Sequence, residues 1–329
     1  MEGGSDPDYG STALSPQLTA AVAKFRAWSQ DCLKALDIAQ KVHSPLFHYT
    51  DANGLSGIIK NQEIWFTSIF HLNDPSELAY GLEIARAILR AERETGEQII
   101  KVFCERLESV LLGDLGNVFG FYVASFSRSS DDLGQWRAYA DNGRGFAIGL
   151  APRLFHPEER TDQKPNELVF VSEVTYDRAN AEQRQRQVIR RAIEVVKRET
   201  KNKNEIRSES EWREFLKRMS VELAVPILWN SITTKHCAYQ NENETRLLVI
   251  GQLADLAPYI ETRSRGPNLV SFIRSPMPIR AAGNITKIVI GPSARVPESK
   301  NAIRSLLISQ GLTHEIPLCL SGIPYRAHL

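Results

Sequence analysis

The sequence lacks most of the features that settle a protein's class at a glance. Its four cysteines, Cys32, Cys104, Cys237 and Cys319, stand far apart and form no CxxC pair. That spacing excludes a disulfide scaffold and a thiolate knuckle, and it predicts reduced thiols in a cytoplasmic protein. No apolar run approaches the roughly 18 residues needed to cross a bilayer, so no membrane is expected as a partner. The opening MEGGSDPDYGST has neither a basic stretch nor an apolar one of the kind that directs secretion. The net charge is only +1, so no global field recommends a polyanion, although a local basic groove remains compatible with it. There is no GxxxxGK[ST], no GxSxG and no HExxH. Gly113, Gly116 and Gly120 lack the dinucleotide-fingerprint spacing and precede a strand where that fingerprint would follow one.

What is present is ordinary globular material: 329 residues, 42% hydrophobic and 24% charged. Residues 1–15, rich in Gly, Ser, Asp and Pro, predict a disordered arm. Residues 16–329 predict a single α+β domain. Leu18, Val22, Phe25, Leu33 and Leu36 fall near helical spacing and predict a long first helix that packs across a strand at 46–50. Further strands are expected at 64–68, 118–127, 145–150, 167–176, 245–250, 285–290 and 316–320. Helices are expected from 77 to 112 with a break at Gly96, and from 301 to 309. The charged stretch from about 177 to 228 breaks its register near 201–205 and predicts an inserted helical hairpin. Arg263, Arg265, Arg274 and Arg280 form the one local basic cluster, placed by sequence in a loop between strands.

Several side-chain groupings carry chemistry. His71, Asp74 and Glu77 offer three ligands for a hard or borderline metal ion, or Asp74 or Ser76 simply caps the helix that follows. Glu242 and Glu244 stand two apart where a strand begins, so their carboxylates share a face of the pleat; the other reading is a solvated strand edge with Arg246 paired to one of them. Ser125 and Ser127 likewise share a face. Trp136 and Tyr139, one helical turn apart, either stack a planar ring or belong to the core.

The order of these pieces carries a resemblance. A strand ending in His48-Tyr49-Thr50 is followed by a Leu/Ile helix, W-x-T, and LNDPSE. Then come SFS, W-x-x-YA, G-F-A-I-G, ExExR and, near the end, IPYR. From about residue 44 to 326 the chain resembles the bacterial domain-of-unknown-function family two-nine-seven-one, which in turn looks like a divergent ADP-ribosyltransferase-like family. That resemblance implies a split β-sheet core with flanking helices and NAD as substrate. It implies Glu244 as the catalytic carboxylate and Glu242 as the group that orients an acceptor. His48, Tyr49, Thr50, Asn73, Asp74, Ser125, Ser127, Trp136 and Tyr139 would then contact the dinucleotide. The implied activity is ADP-ribosyl transfer to DNA, RNA or protein, or NAD glycohydrolysis, in a bacterial toxin or anti-phage setting with an antitoxin or other regulatory partner. The readings from other classes are a nucleic-acid or protein binding module built on the Arg263–Arg280 cluster, and a metal-dependent nuclease built on His71, Asp74, Glu77 and the Glu242/Glu244 pair.

Overall fold

The computed structural model describes residues 13–38, 41–72, 75–113, 119–156, 169–201, 208–312 and 315–327. The expectation for an N-terminal arm therefore falls largely outside the described residues, as do the predicted site residues Asn73 and Asp74.

Contacts divide the chain into two compact units, one helical and one built on a sheet. The helical unit draws on residues up to 35, on 78–115 and on 178–232. It contains α1 (Pro16–Ala35), most of α3 (Pro75–Thr95), α4 (Gln98–Gly113), α6 (Arg178–Lys201) and α7 (Glu209–Ile232). The predicted hairpin at 177–228 is the α6–α7 pair, and it shares a unit with α1, α3 and α4, where the sequence suggested an insertion into a single domain. Helix α1 packs on α6 and α7 and not across the 46–50 strand, because its apolar stripe, Leu18, Val22 and Phe25, is buried within the helical unit. α3 begins at Pro75, a residue suited to the first helical position because its missing N–H would be unpaired there anyway.

The second unit comprises residues 36–77, 116–177 and 233–329. Its strands are β1 (Leu46–Thr50), β2 (Glu63–Ser68), β3 (Phe119–Ser127), β4 (Phe146–Leu150), β5 (Val169–Glu173), β6 (Glu244–Gln252), β7 (Ile260–Arg265), β8 (Asn268–Pro276), β9 (Ile285–Ile290) and β10 (Leu318–Leu320). Helices α2 (Ala52–Asn61), α5 (Leu133–Tyr139) and α8 (Val296–Ser309) connect or cover them. All the strand pairs are antiparallel except β9 with β10.

The pairing makes a fork. β6 runs along the whole of β3, from Phe119 opposite Gln252 to Ser127 opposite Glu244, and occupies one edge of that strand completely. The other edge of β3 is shared. β1 meets it only at Ser127, and β2 meets it only at Tyr122 and Val123. The two wings, β1-β4-β9-β10 and β2-β8-β7, therefore leave the same edge at different heights, with Ala124 to Phe126 between them.

The main core lies under these strands and contains Leu46, Phe66, Phe126, Ile148, Phe155, Leu247, Ile273 and Ile288, each nearly excluded from solvent. Along β1, residues alternate across the pleat, so Leu46, His48 and Thr50 share one face while Phe47 and Tyr49 enter a smaller cluster with Trp136, Ala147 and Val289. The basic cluster is not a loop. Arg263, Arg265 and Arg274 sit on the β7–β8 hairpin, which turns at Gly266 with a φ of 58°. The alternation of Glu261, Arg263 and Arg265 with shorter polar residues hides the strand, since neither face reads as apolar.

The IPYR segment is tied down by side chains. Asp131 accepts bonds from Ser321 Oγ (2.6 Å), the Gly322 N–H (2.7 Å) and the Trp136 indole (2.6 Å). Tyr325 donates its hydroxyl to Asn142 at 2.7 Å. Asp131 thus joins the tail, α5 and the β3–α5 connection through one carboxylate.

Candidate functional site

Where β1 and β2 part, a cleft of about 530 Å3 opens on the edge of β3. β1 supplies His48 and Thr50, and Asp51, Asn53, Gly54 and Gly57 come from the start of α2. Trp65 and Thr67 of β2 form the other wall, and Val123 to Ser125 and Arg246 line the space between them. Arg263, Ser264 and Arg265 reach in from β7, and Tyr139 from the end of α5.

His48 is fixed by the fork itself. The gap between the two pairings leaves the Ser125 carbonyl without a strand partner on that edge, and His48 Nδ1 bonds it at 3.0 Å. A carbonyl can only accept, so Nδ1 carries the proton and Nε2 is left with a lone pair. Burial lowers the imidazole pKa, outweighing the opposing effect of that hydrogen bond. His48 is therefore a neutral ring offering an acceptor, suited to a ligand hydroxyl.

Thr50 is followed by Asp51, which caps α2 by accepting from the Gly54 N–H at 2.7 Å. A side chain at Gly54 would collide with Thr50 Oγ1, so glycine is required for the helix to approach β1 this closely.

Across the cleft floor the expected carboxylate is replaced by its partner. Glu244 does not line the cleft; Arg246 does. Glu244 and Arg246 are two apart on β6, on the face that also carries Ser125 and Ser127 by register. The pair is bidentate, with Nε to Oε1 at 2.7 Å and Nη2 to Oε2 at 3.0 Å, and both residues are nearly excluded from solvent. Lys235 Nζ completes the network at 2.7 Å from Glu244 and 2.5 Å from Glu242. Burial by itself would raise the Glu244 pKa, but the charges of Arg246 and Lys235 outweigh it and hold the carboxyl down at about 2. The carboxylate is thus ionised throughout the physiological range. Three nitrogens contact it, and a carboxylate offers about four lone-pair sites. The alternative reading of these acids holds for the Arg246 pairing but not for a solvated edge, because the pair is buried and Lys235 joins it.

The other expected site residues divide cleanly. His48, Thr50, Ser125 and Tyr139 come together on the cleft. Tyr49 points to the opposite face of β1, where its hydroxyl donates to the Ser129 carbonyl and accepts from the Asp132 N–H; burial raises its pKa. Trp136 is fully buried edge-on to Tyr49, at 4.8 Å between centroids, so it presents no ring face to the cleft. Ser127 Oγ donates to the Glu242 carbonyl at 2.7 Å and so fixes the β3–β6 end. Among the described residues, no group of three or more His, Cys, Asp or Glu side chains is gathered to hold a metal ion.

Sequence reading missed Asp51, Trp65, Lys235 and the cleft roles of Arg246, Arg263 and Arg265. The alternation of Arg263 and Arg265 was the available signal for a shared face. Nothing local marks Lys235, which stands nine residues before Glu244 in sequence and outside any strand pattern. The four-arginine cluster also comes apart in three dimensions. Arg274 pairs with Glu261 at 2.7 Å and Arg280 donates to Gln310 at 3.2 Å, while Arg263 and Arg265 turn to the cleft.

Among the described residues no helix is long and apolar enough to cross a membrane. No curated protein and no solved structure matches the chain. Residues 135–247, from α5 through the first half of β6 and including the Glu242–Arg246 segment, match the model of the family described as protein of unknown function (DUF2971).

Proposed function

We propose that the forked sheet binds NAD and that the protein cleaves its nicotinamide–ribose bond, passing ADP-ribose to a macromolecular acceptor or to water. The observation that carries this reading is the pairing of a neutral His48 acceptor with a cation-rich cleft where two wings of one sheet part. A dinucleotide needs both: hydroxyl groups to be accepted from and phosphates to be neutralised.

In this reading the C1′–N bond breaks with its electron pair returning to the pyridinium ring, which leaves as neutral nicotinamide. Positive charge develops on the ribose, as in glycoside hydrolysis. A carboxylate fixed nearby stabilises that charge more in the transition state than in the ground state. Glu244, ionised above pH about 2 and standing behind Arg246 at the cleft floor, would supply it as a fixed charge without touching the ribose. Glu242, held by Lys235, would stand beside the incoming nucleophile, which loses its proton as the new bond to C1′ forms. Tyr139 offers the aromatic surface at the cleft.

The experiment is calorimetric titration of the purified protein with NAD, together with nicotinamide release measured alone and with DNA, RNA and protein acceptors. His48→Phe, which keeps the ring packing against Phe126 but removes the acceptor, is expected to lose ~10-fold or more in NAD affinity, as expected when a buried hydrogen-bond partner is removed. No binding heat and no nicotinamide release by the wild type would overturn the reading.

A further inference from the structure

Arg263 and Arg265 are two residues apart on β7, so their side chains leave the same face of the strand, and both line the cleft. Arg263 is held in place by stacking. Its guanidinium carbon lies 4.9 Å from the centre of the Trp65 ring and 5.6 Å from that of Phe272, and those two rings are themselves stacked at 4.5 Å. Yet its donors are poorly used. Nε is buried with no hydrogen-bond partner, and Nη2 reaches Thr67 Oγ1 only at 3.5 Å. Arg265 is exposed and makes one bond, to the His71 carbonyl at 3.3 Å.

The two cations also repel. Burial and the neighbouring Arg265 both lower the Arg263 pKa, and only Asp51 opposes them. Asp51 is committed to capping α2. Two fixed, adjacent, under-bonded guanidinium groups facing one cavity are unfavourable in themselves and become favourable when an anion with several acceptor oxygens bridges them. Arg246, the third cation on the cleft, is already neutralised by Glu244, so it does not compete for that anion.

We propose that Arg263 and Arg265 form a diphosphate subsite, so that the cleft selects nucleotides bearing a 5′-diphosphate over nucleosides. This rests on the proposed NAD reading for the identity of the whole ligand, but not for the subsite itself. The subsite makes β7 of the second wing the phosphate-binding wall and leaves His48, on the first wing, for a ribose.

The test is calorimetric titration of wild type, Arg265→Gln and Arg263→Gln with NAD, ADP-ribose and inorganic pyrophosphate. Arg265→Gln is the primary variant because the residue is exposed and its loss leaves the Trp65 stack intact; thermal melts check that Arg263→Gln is folded. The expected result is that each variant loses ~10-fold or more in affinity for ADP-ribose and for pyrophosphate, in keeping with the loss of charge-assisted bonds. If Arg265→Gln binds ADP-ribose as tightly as wild type, the subsite is refuted, whether or not NAD is cleaved. If wild type binds neither pyrophosphate nor ADP-ribose, it is refuted as well. If pyrophosphate binds in an arginine-dependent way while NAD neither binds nor is cleaved, the subsite stands and the NAD reading falls.

Discussion

Replacing Glu244 by Gln tests the buried charge network that the end of β6 is built around. The carboxyl has an ordinary pKa of 4.5 and is held at about 2 in the folded chain. At about 1.4 kcal/mol for each tenfold change in proton affinity, that difference contributes roughly 3 kcal/mol to folding at neutral pH. A separate route gives the same order: removing one partner from a buried ion pair costs about 3–5 kcal/mol, because the other charge is left uncompensated. Here Arg246 and Lys235 would both be left beside a neutral amide. The sign of the pH dependence follows. A carboxyl whose pKa is depressed on folding contributes its stability above 4.5 and loses it as pH falls through that value towards about 2. Urea unfolding of wild type and Glu244→Gln, followed by tryptophan fluorescence from pH 7 to pH 3, measures this directly. The variant is expected to be less stable by about 3 kcal/mol at pH 7, with the gap closing as the wild-type carboxyl protonates. A variant as stable as wild type at pH 7, or a gap that does not narrow below pH 4.5, would refute the reasoning.

Asp131→Ala removes the acceptor shared by Trp136, Ser321 and Gly322. With charge-assisted bonds worth about 1.5–3 kcal/mol each and some replaced by water at the tail, a loss of ~2–4 kcal/mol is expected, read as a fall in melting temperature. Protease sensitivity of the last dozen residues should rise with it. His48, whose pKa burial depresses, is neutral at pH 7, so ligand affinity should be flat above the ordinary imidazole range. It should fall on acidification as Nε2 takes a proton and ceases to accept; calorimetry from pH 8 to pH 5 checks this, and affinity that rises on acidification would contradict the assigned tautomer.

Some of this was written locally in the chain. The alternation in Leu46 to Thr50, the apolar run of Phe119 to Ser127 and the helical period of Arg178 to Ile232 each name their own element, because burial of one face or stripe imposes a period on the residues that make it. The same periodicity put Glu244 and Arg246 on one side of β6, and the order of the short motifs pointed to the family that residues 135–247 match. β7 was not legible, since a strand with polar residues on both faces carries no hydrophobic period, and β8, which buries Val270, Phe272 and Ile273, was passed over with it.

Which residues face the cleft was decided only by the tertiary structure. Trp136 and Tyr139 are equally aromatic and one turn apart, yet one is sealed against Tyr49 with its indole N–H on Asp131 and the other lines the cleft. His48 owes its role to a carbonyl freed where two strands part on a third, and that parting is a property of pairing between segments up to 80 residues distant. Lys235 and Glu244 meet at 2.7 Å at the start of β6, and Arg263 meets Arg265's field and Trp65's ring through the β2–β8 register. Charges and rings are written in the sequence; which of them are left facing a shared space is fixed by long-range pairing, whose partners the local pattern does not encode.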